Sequence, residues 1–73
     1  MKKFKLKDKV YFYNKYTDEI IYGEIIGERQ AKYNWDFKLR YLLRADTMVW
    51  YEIWIEEKYI EYNKSKLEFF LKI

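Results

Sequence analysis

The chain has 73 residues, carries a formal net charge of +3, and contains no cysteine, histidine or proline. This length allows one domain, which buries only about 60% of its unfolded surface and has no disulfide or thiolate metal site to support it. Imidazole chemistry is excluded as well, while a hydrophobic share of 51% excludes a disordered chain.

The opening MKKFKLKDKV is basic, with Lys2, Lys3, Lys5, Lys7, Lys9 and Lys15 set against Asp8. Such an arm either binds phosphates or forms a solvated edge strand whose lysines discourage edge-to-edge pairing. Lys5, Lys7, Asp8 and Lys9 interrupt the apolar run a signal peptide needs, and no window approaches a membrane span. A cytoplasmic location is expected.

The prevailing hydrophobic period is two, which predicts strands. The first covers about 8–13 and places Tyr11 and Tyr13 outward, and 14–18 is a polar turn. The second, about 19–29, contains Gly23 and Gly27, the residues that mark a bulge or sharp bend. The third, about 35–45, alternates most clearly. Trp35, Phe37, Leu39, Tyr41 and Leu43 fall on one face, and Asp36, Lys38, Arg40, Leu42 and Arg44 on the other.

A fourth strand over about 48–55 divides into Val49, Tyr51, Ile53 and Ile55 against Met48, Trp50, Glu52 and Trp54. A three-residue loop at 45–47 sets Leu43 opposite Val49 and Tyr41 opposite Tyr51, so the apolar faces coincide. It also sets Arg40 opposite Glu52 and Lys38 opposite Trp54, an ion pair and a cation–π contact. A short fifth strand is expected at 58–61. Leu67, Phe70 and Leu71 then give the helical spacing of a segment over about 64–72, with Asn63 as N-cap or Ser65 and Glu68 as a capping box. So short a helix must dock on the sheet.

No nucleophile–base pair, phosphate loop or dinucleotide fingerprint is present. The chain is therefore expected to be neither an enzyme nor a cofactor protein. The site residues that stand out are Lys38, Arg40 and Arg44 beside Trp50 and Trp54, extended by Tyr11 and Tyr13. Flat aromatic and cationic groups on one sheet face suit a peptide, a cationic side chain or stacked bases. A competing role for Trp50, Trp54 and Leu42 is the apolar landing site of the helix. About half of the chain is Lys, Ile, Tyr, Asn or Phe, the imprint of an AT-rich genome, which accounts for much of the lysine and tyrosine excess.

Taken in order, FKLKDKVYFYN and IIYGEI resemble the opening of Tudor-like and KOW-like barrels. These commonly begin F-x-x-G-D-x-V and continue into a strand with G/A-x-I; here Lys7 stands at the glycine position. The resemblance implies an SH3-like, five-stranded, small antiparallel barrel with a short C-terminal helix. The closing EEKYIEYNKSKLEFFLK is similar to small phage and prophage accessory proteins of low-GC Gram-positive bacteria. Trp50 to Ile55 is also similar to the W-D-E-W-V stretch of chromo-barrel modules, with one extra residue between Glu52 and Trp54 that departs from the register of a methyl-lysine cage. The function expected is that of a small non-catalytic interaction module, encoded by a phage or mobile element, that binds a host or phage protein. The alternative is a nucleic-acid-binding barrel using lysine and arginine on phosphates and tryptophan and tyrosine on bases. Self-association through strand edges is a third reading.

Overall fold

Alternation along the chain becomes five antiparallel strands and a terminal helix in the computed structural model, which describes residues 3–30 and 39–72. The elements are β1 (Lys9–Asn14), β2 (Glu19–Gln30), β3 (Leu39–Ala45), β4 (Glu52–Glu56), a 3₁₀ turn (Glu57–Tyr59), β5 (Ile60–Glu61) and α1 (Lys64–Leu71). All strands belong to one sheet of order β4-β3-β2-β1-β5. β1 also touches β4 across the molecule without pairing to it, so the sheet curls. It does not close: among the described residues β4 and β5 remain separate edges. No described helix is long and apolar enough to cross a membrane.

The inner face carries Phe4, Val10, Phe12, Ile25, Tyr41, Leu43, Ile55 and Ile60, with Ile21, Leu39, Tyr51, Ile53 and Tyr59 packed around them. Each large apolar side chain removed from water contributes about 1.5–3 kcal/mol before entropy is charged against it. Phe4 is drawn in from the basic arm and meets Tyr41 edge-on at 5.4 Å and Tyr62 at 5.0 Å. Asn14 closes β1 rather than opening the turn. It is buried, donates to the Tyr51 hydroxyl at 2.5 Å and accepts from the Tyr16 amide at 2.9 Å.

The two glycines of β2 have different reasons. Gly27 follows the bulge, where pairing passes from Ile25↔Leu43 to Gly27↔Leu42 and leaves Ile26 as the extra residue. Gly23 lies where β2 and β3 approach so closely that a Cβ would stand 2.2 Å from the Arg44 carbonyl oxygen. Lys7 has φ 74, the left-handed region that favours glycine. Its amide donates to the Ile25 carbonyl at 2.7 Å, and the Lys5 amide caps the turn on the Asp8 carboxylate at 3.0 Å.

Several expectations are corrected. β1 is not an edge strand but runs between β2 and β5, because Ile60 and Glu61 return to pair with Phe12 and Tyr11. The β3–β4 connection is longer than three residues, and the register is Arg40↔Glu56, Leu42↔Trp54 and Arg44↔Glu52. The displacement of four residues is even, so the inward set Tyr41, Leu43, Ile53 and Ile55 survives. Val49 and Trp50, expected on the fourth strand, lie in the connecting loop at 72% and 76% exposure. The first part of the expected third strand, with Trp35, Phe37 and Lys38, falls outside the described residues.

Helix α1 forms as its spacing requires. Asn63 caps it, its side-chain oxygen accepting from the amides of Ser65 at 2.8 Å and Lys66 at 3.3 Å. The helix packs on β1 and β5, burying Leu67 and bringing the Phe70 ring to 6.2 Å from Tyr59. Trp50, Trp54 and Leu42 are therefore not its landing site.

Candidate functional site

The curl of the sheet brings β4, the 3₁₀ turn and the β1–β2 hairpin together around one groove. Tyr13, Lys15, Tyr16, Arg40, Trp54, Ile55, Glu56 and Tyr59 line it, enclosing about 200 Å³. Each wall has a local cause. Odd residues of β1 point away from the core, which presents Tyr13, and its hydroxyl donates to Asp18 at 2.7 Å. That hydrogen bond, to a carboxylate held at the left-handed Asp18, raises the Tyr13 phenol above its usual range. Tyr16 stands at the hairpin tip, 81% exposed, with the Lys15 ammonium over its ring at 5.5 Å. The 3₁₀ turn after β4 swings Tyr59 to 5.8 Å from Tyr13, with Lys58 over its ring at 5.1 Å.

The floor is Trp54, which lies across the outer face of the sheet. Arg29 stacks on its indole at 4.7 Å, and Leu42 is its cross-strand neighbour. Gly27 lies beneath the ring, where a Cβ would stand 3.9 Å from the indole, an ordinary van der Waals contact. Arg40 faces Glu56 across the β3–β4 pair, and Lys58 approaches the same carboxylate at 3.7 Å. Tyrosine and tryptophan in this setting offer wide contact area at a low entropic cost, with polar rims that fix orientation.

Of the seven residues singled out in the sequence, Trp54, Arg40 and Tyr13 meet in this groove. Arg44 instead holds Glu52, its Nε and Nη2 reaching one carboxylate oxygen at 3.2 and 3.0 Å. Trp50 is apart in the β3–β4 loop, its ring 6.4 Å from Tyr51. Tyr11 meets its cross-strand neighbour Tyr22 in a tilted ring contact at 4.8 Å. Lys38 lies outside the described residues. Sequence reasoning missed Tyr16, Tyr59, Lys15, Glu56 and the Arg29 cation. All but Glu56 and Arg29 sit in turns that the period-two pattern does not orient.

The other polar clusters hold the fold together. The buried Tyr41 hydroxyl donates to Glu57 at 2.9 Å, and burial pushes this phenol upward. Tyr62 donates to Asp8, which lowers the carboxyl and pushes the phenol up to about 12. Two lysines of the basic arm are already engaged, Lys3 with Glu61 at 3.2 Å and Lys9 with Asp46 and Glu24. No group of three metal-ligating side chains occurs among the described residues.

No protein-family model, curated protein or solved structure matches the chain.

Proposed function

We propose that the chain is a small non-catalytic interaction module, built on the SH3-like barrel plan, that binds a segment of a protein partner in the Tyr13–Tyr16–Trp54–Tyr59 groove. Three features support the barrel plan. They are the strand order β4-β3-β2-β1-β5, the 3₁₀ turn between the last two strands, and Lys7 in the left-handed conformation where the resembling motif has glycine. The observation that carries the function is the convergence of four aromatic side chains from three separate elements on one open groove. Tyr16 and Trp54 are exposed, while Tyr13 and Tyr59 are half-buried and Tyr59 also packs against the core. An exposed tyrosine and tryptophan held beside two such rings form a surface suited to a ligand.

A selection of random short peptides displayed against the full chain tests this. Enriched peptides bind, and Trp54→Ala and Tyr59→Ala each weaken binding by about tenfold or more, as anchors at the centre of an interface do. Trp50→Ala leaves it unchanged. Failure to enrich any peptide, together with salt-sensitive binding to a single-stranded oligonucleotide, would favour the nucleic-acid reading and overturn this one.

A further inference from the structure

Two rungs cross the outer face of β2, β3 and β4. One runs Gly27, Leu42, Trp54, and the next runs Arg29, Arg40, Glu56. The first has no side chain at its β2 end, so the indole crosses Leu42 and its far edge stands over Gly27. The second sets two arginines directly opposite each other, which is unfavourable unless each turns to another partner. Arg40 faces Glu56 on its other side. Arg29 instead leans to the neighbouring rung and sets its guanidinium over the indole at 4.7 Å.

Arg29 is exposed and does not line the groove, whereas Trp54 does. It therefore meets the ring from outside the space a ligand would fill. Lys15 and Lys58 also stand over groove rings, at 5.5 and 5.1 Å from the centres of Tyr16 and Tyr59. An ammonium, however, is a compact hydrated charge on a flexible stem, while a guanidinium is flat and stacks. Trp54 keeps 39% of its surface exposed, so without the stack its ring has open solvent to turn into. We infer that Arg29 is a positioning residue for the partner segment: stacked on Trp54, it holds the indole across β3 in the orientation that lines the groove. This rests on the reading of the groove as a protein-binding site. An indole already held spares the partner the cost of ordering it, worth roughly two- to tenfold in affinity.

The test uses the full chain, a peptide enriched on it from a random displayed library, and the variants Arg29→Ala and Arg29→Lys. In the free protein, Arg29→Ala loosens the Trp54 ring, read by nuclear magnetic resonance as lost contacts between the indole and the Gly27 Hα protons. Peptide affinity falls two- to tenfold, with the salt dependence of binding unchanged. Arg29→Lys, which keeps the charge without the flat stack, follows Arg29→Ala rather than the parent. In a Trp54→Ala background Arg29→Ala costs nothing further, because no ring is left to hold. Parental affinity in either variant overturns the inference, as does an equal loss in the Trp54→Ala background, which would make Arg29 act on the ligand by itself. If Arg29→Ala leaves ring and affinity unmoved while Trp54→Ala still weakens binding, the groove reading stands and only the positioning role falls. A library that enriches nothing removes both.

Discussion

Adding one methyl group at Gly23 separates the two glycines of β2 more sharply than any other change. Gly23 sits between Val10 on β1 and Ala45 on β3, in the interior of the sheet. Its Cβ would lie 2.2 Å from the Arg44 carbonyl oxygen, 3.0 Å from the Arg44 carbonyl carbon and 3.0 Å from the Phe12 ring. Backbone of a neighbouring strand cannot swing aside as a side chain does, so β2 and β3 must part by roughly an ångström. Overpacking of this kind costs about 1–3 kcal/mol, and the rigid obstacle puts Gly23→Ala at the upper end. A chain of this size has roughly 4–10 kcal/mol in total, so its melting temperature falls by about 10–20 °C. At Gly27 the nearest atom is the Leu42 Cβ at 3.3 Å, which needs a few tenths of an ångström. The reduced freedom of the unfolded chain, worth about 0.4–1 kcal/mol, offsets that strain, and Gly27→Ala stays within about 0.5 kcal/mol of the parent. Thermal and urea unfolding followed by circular dichroism measures both variants. Equal losses at the two glycines, or a neutral Gly23→Ala, would refute the close-approach argument.

Three further outcomes follow from other elements. Lys7→Gly stabilises the fold by about 1 kcal/mol in urea because φ 74 burdens any residue with a Cβ, whereas Lys7→Ala gives no such gain. A double-mutant cycle of Asn14→Ala and Tyr51→Phe shows a coupling of about 0.5–1.5 kcal/mol, and zero coupling would deny their hydrogen bond a role in closing β1. The Asp8–Tyr62 pair links stability to pH at both ends. Asp8, lowered in the fold, contributes above its unfolded value near 3.8 and loses that contribution as pH falls through its folded value. Tyr62, raised to about 12, contributes fully below 10 and loses it as pH rises toward 12. Tyr62→Phe therefore flattens both limbs of a stability–pH profile, and an unchanged profile contradicts the pairing.

The sequence carried the strands and their faces because a period of two survives wherever one side is buried. Tyr41, Leu43, Ile53 and Ile55 turn inward as alternation requires, even though the β3–β4 register differs by four residues. Register itself was not legible. With no glycine or Asn-Gly pair to mark the turn, nothing local distinguishes a three-residue loop from a longer one, and the longer loop carries Trp50 off the strand. Asn63 was readable as a cap because its role is decided within three residues. The site was legible only in part. Trp54, Arg40 and Tyr13 lie on strands, where alternation gives their direction. Tyr16 and Tyr59 reach the groove through a hairpin tip and a 3₁₀ turn, and long-range curvature alone brings those together. The helix landed on β1 and β5 rather than on the tryptophans because the chain, after pairing β5 with β1, resumes on that side of the sheet.

The most direct measurement is a nuclear magnetic resonance titration of the isotopically labelled full chain with a peptide enriched on it. The account predicts shifts concentrated on the Trp54 indole and the Tyr13, Tyr16 and Tyr59 rings, with the Trp50 indole unmoved. Shifts confined to Trp50 and the Lys3–Lys9 arm, with Trp54 unperturbed, would contradict it.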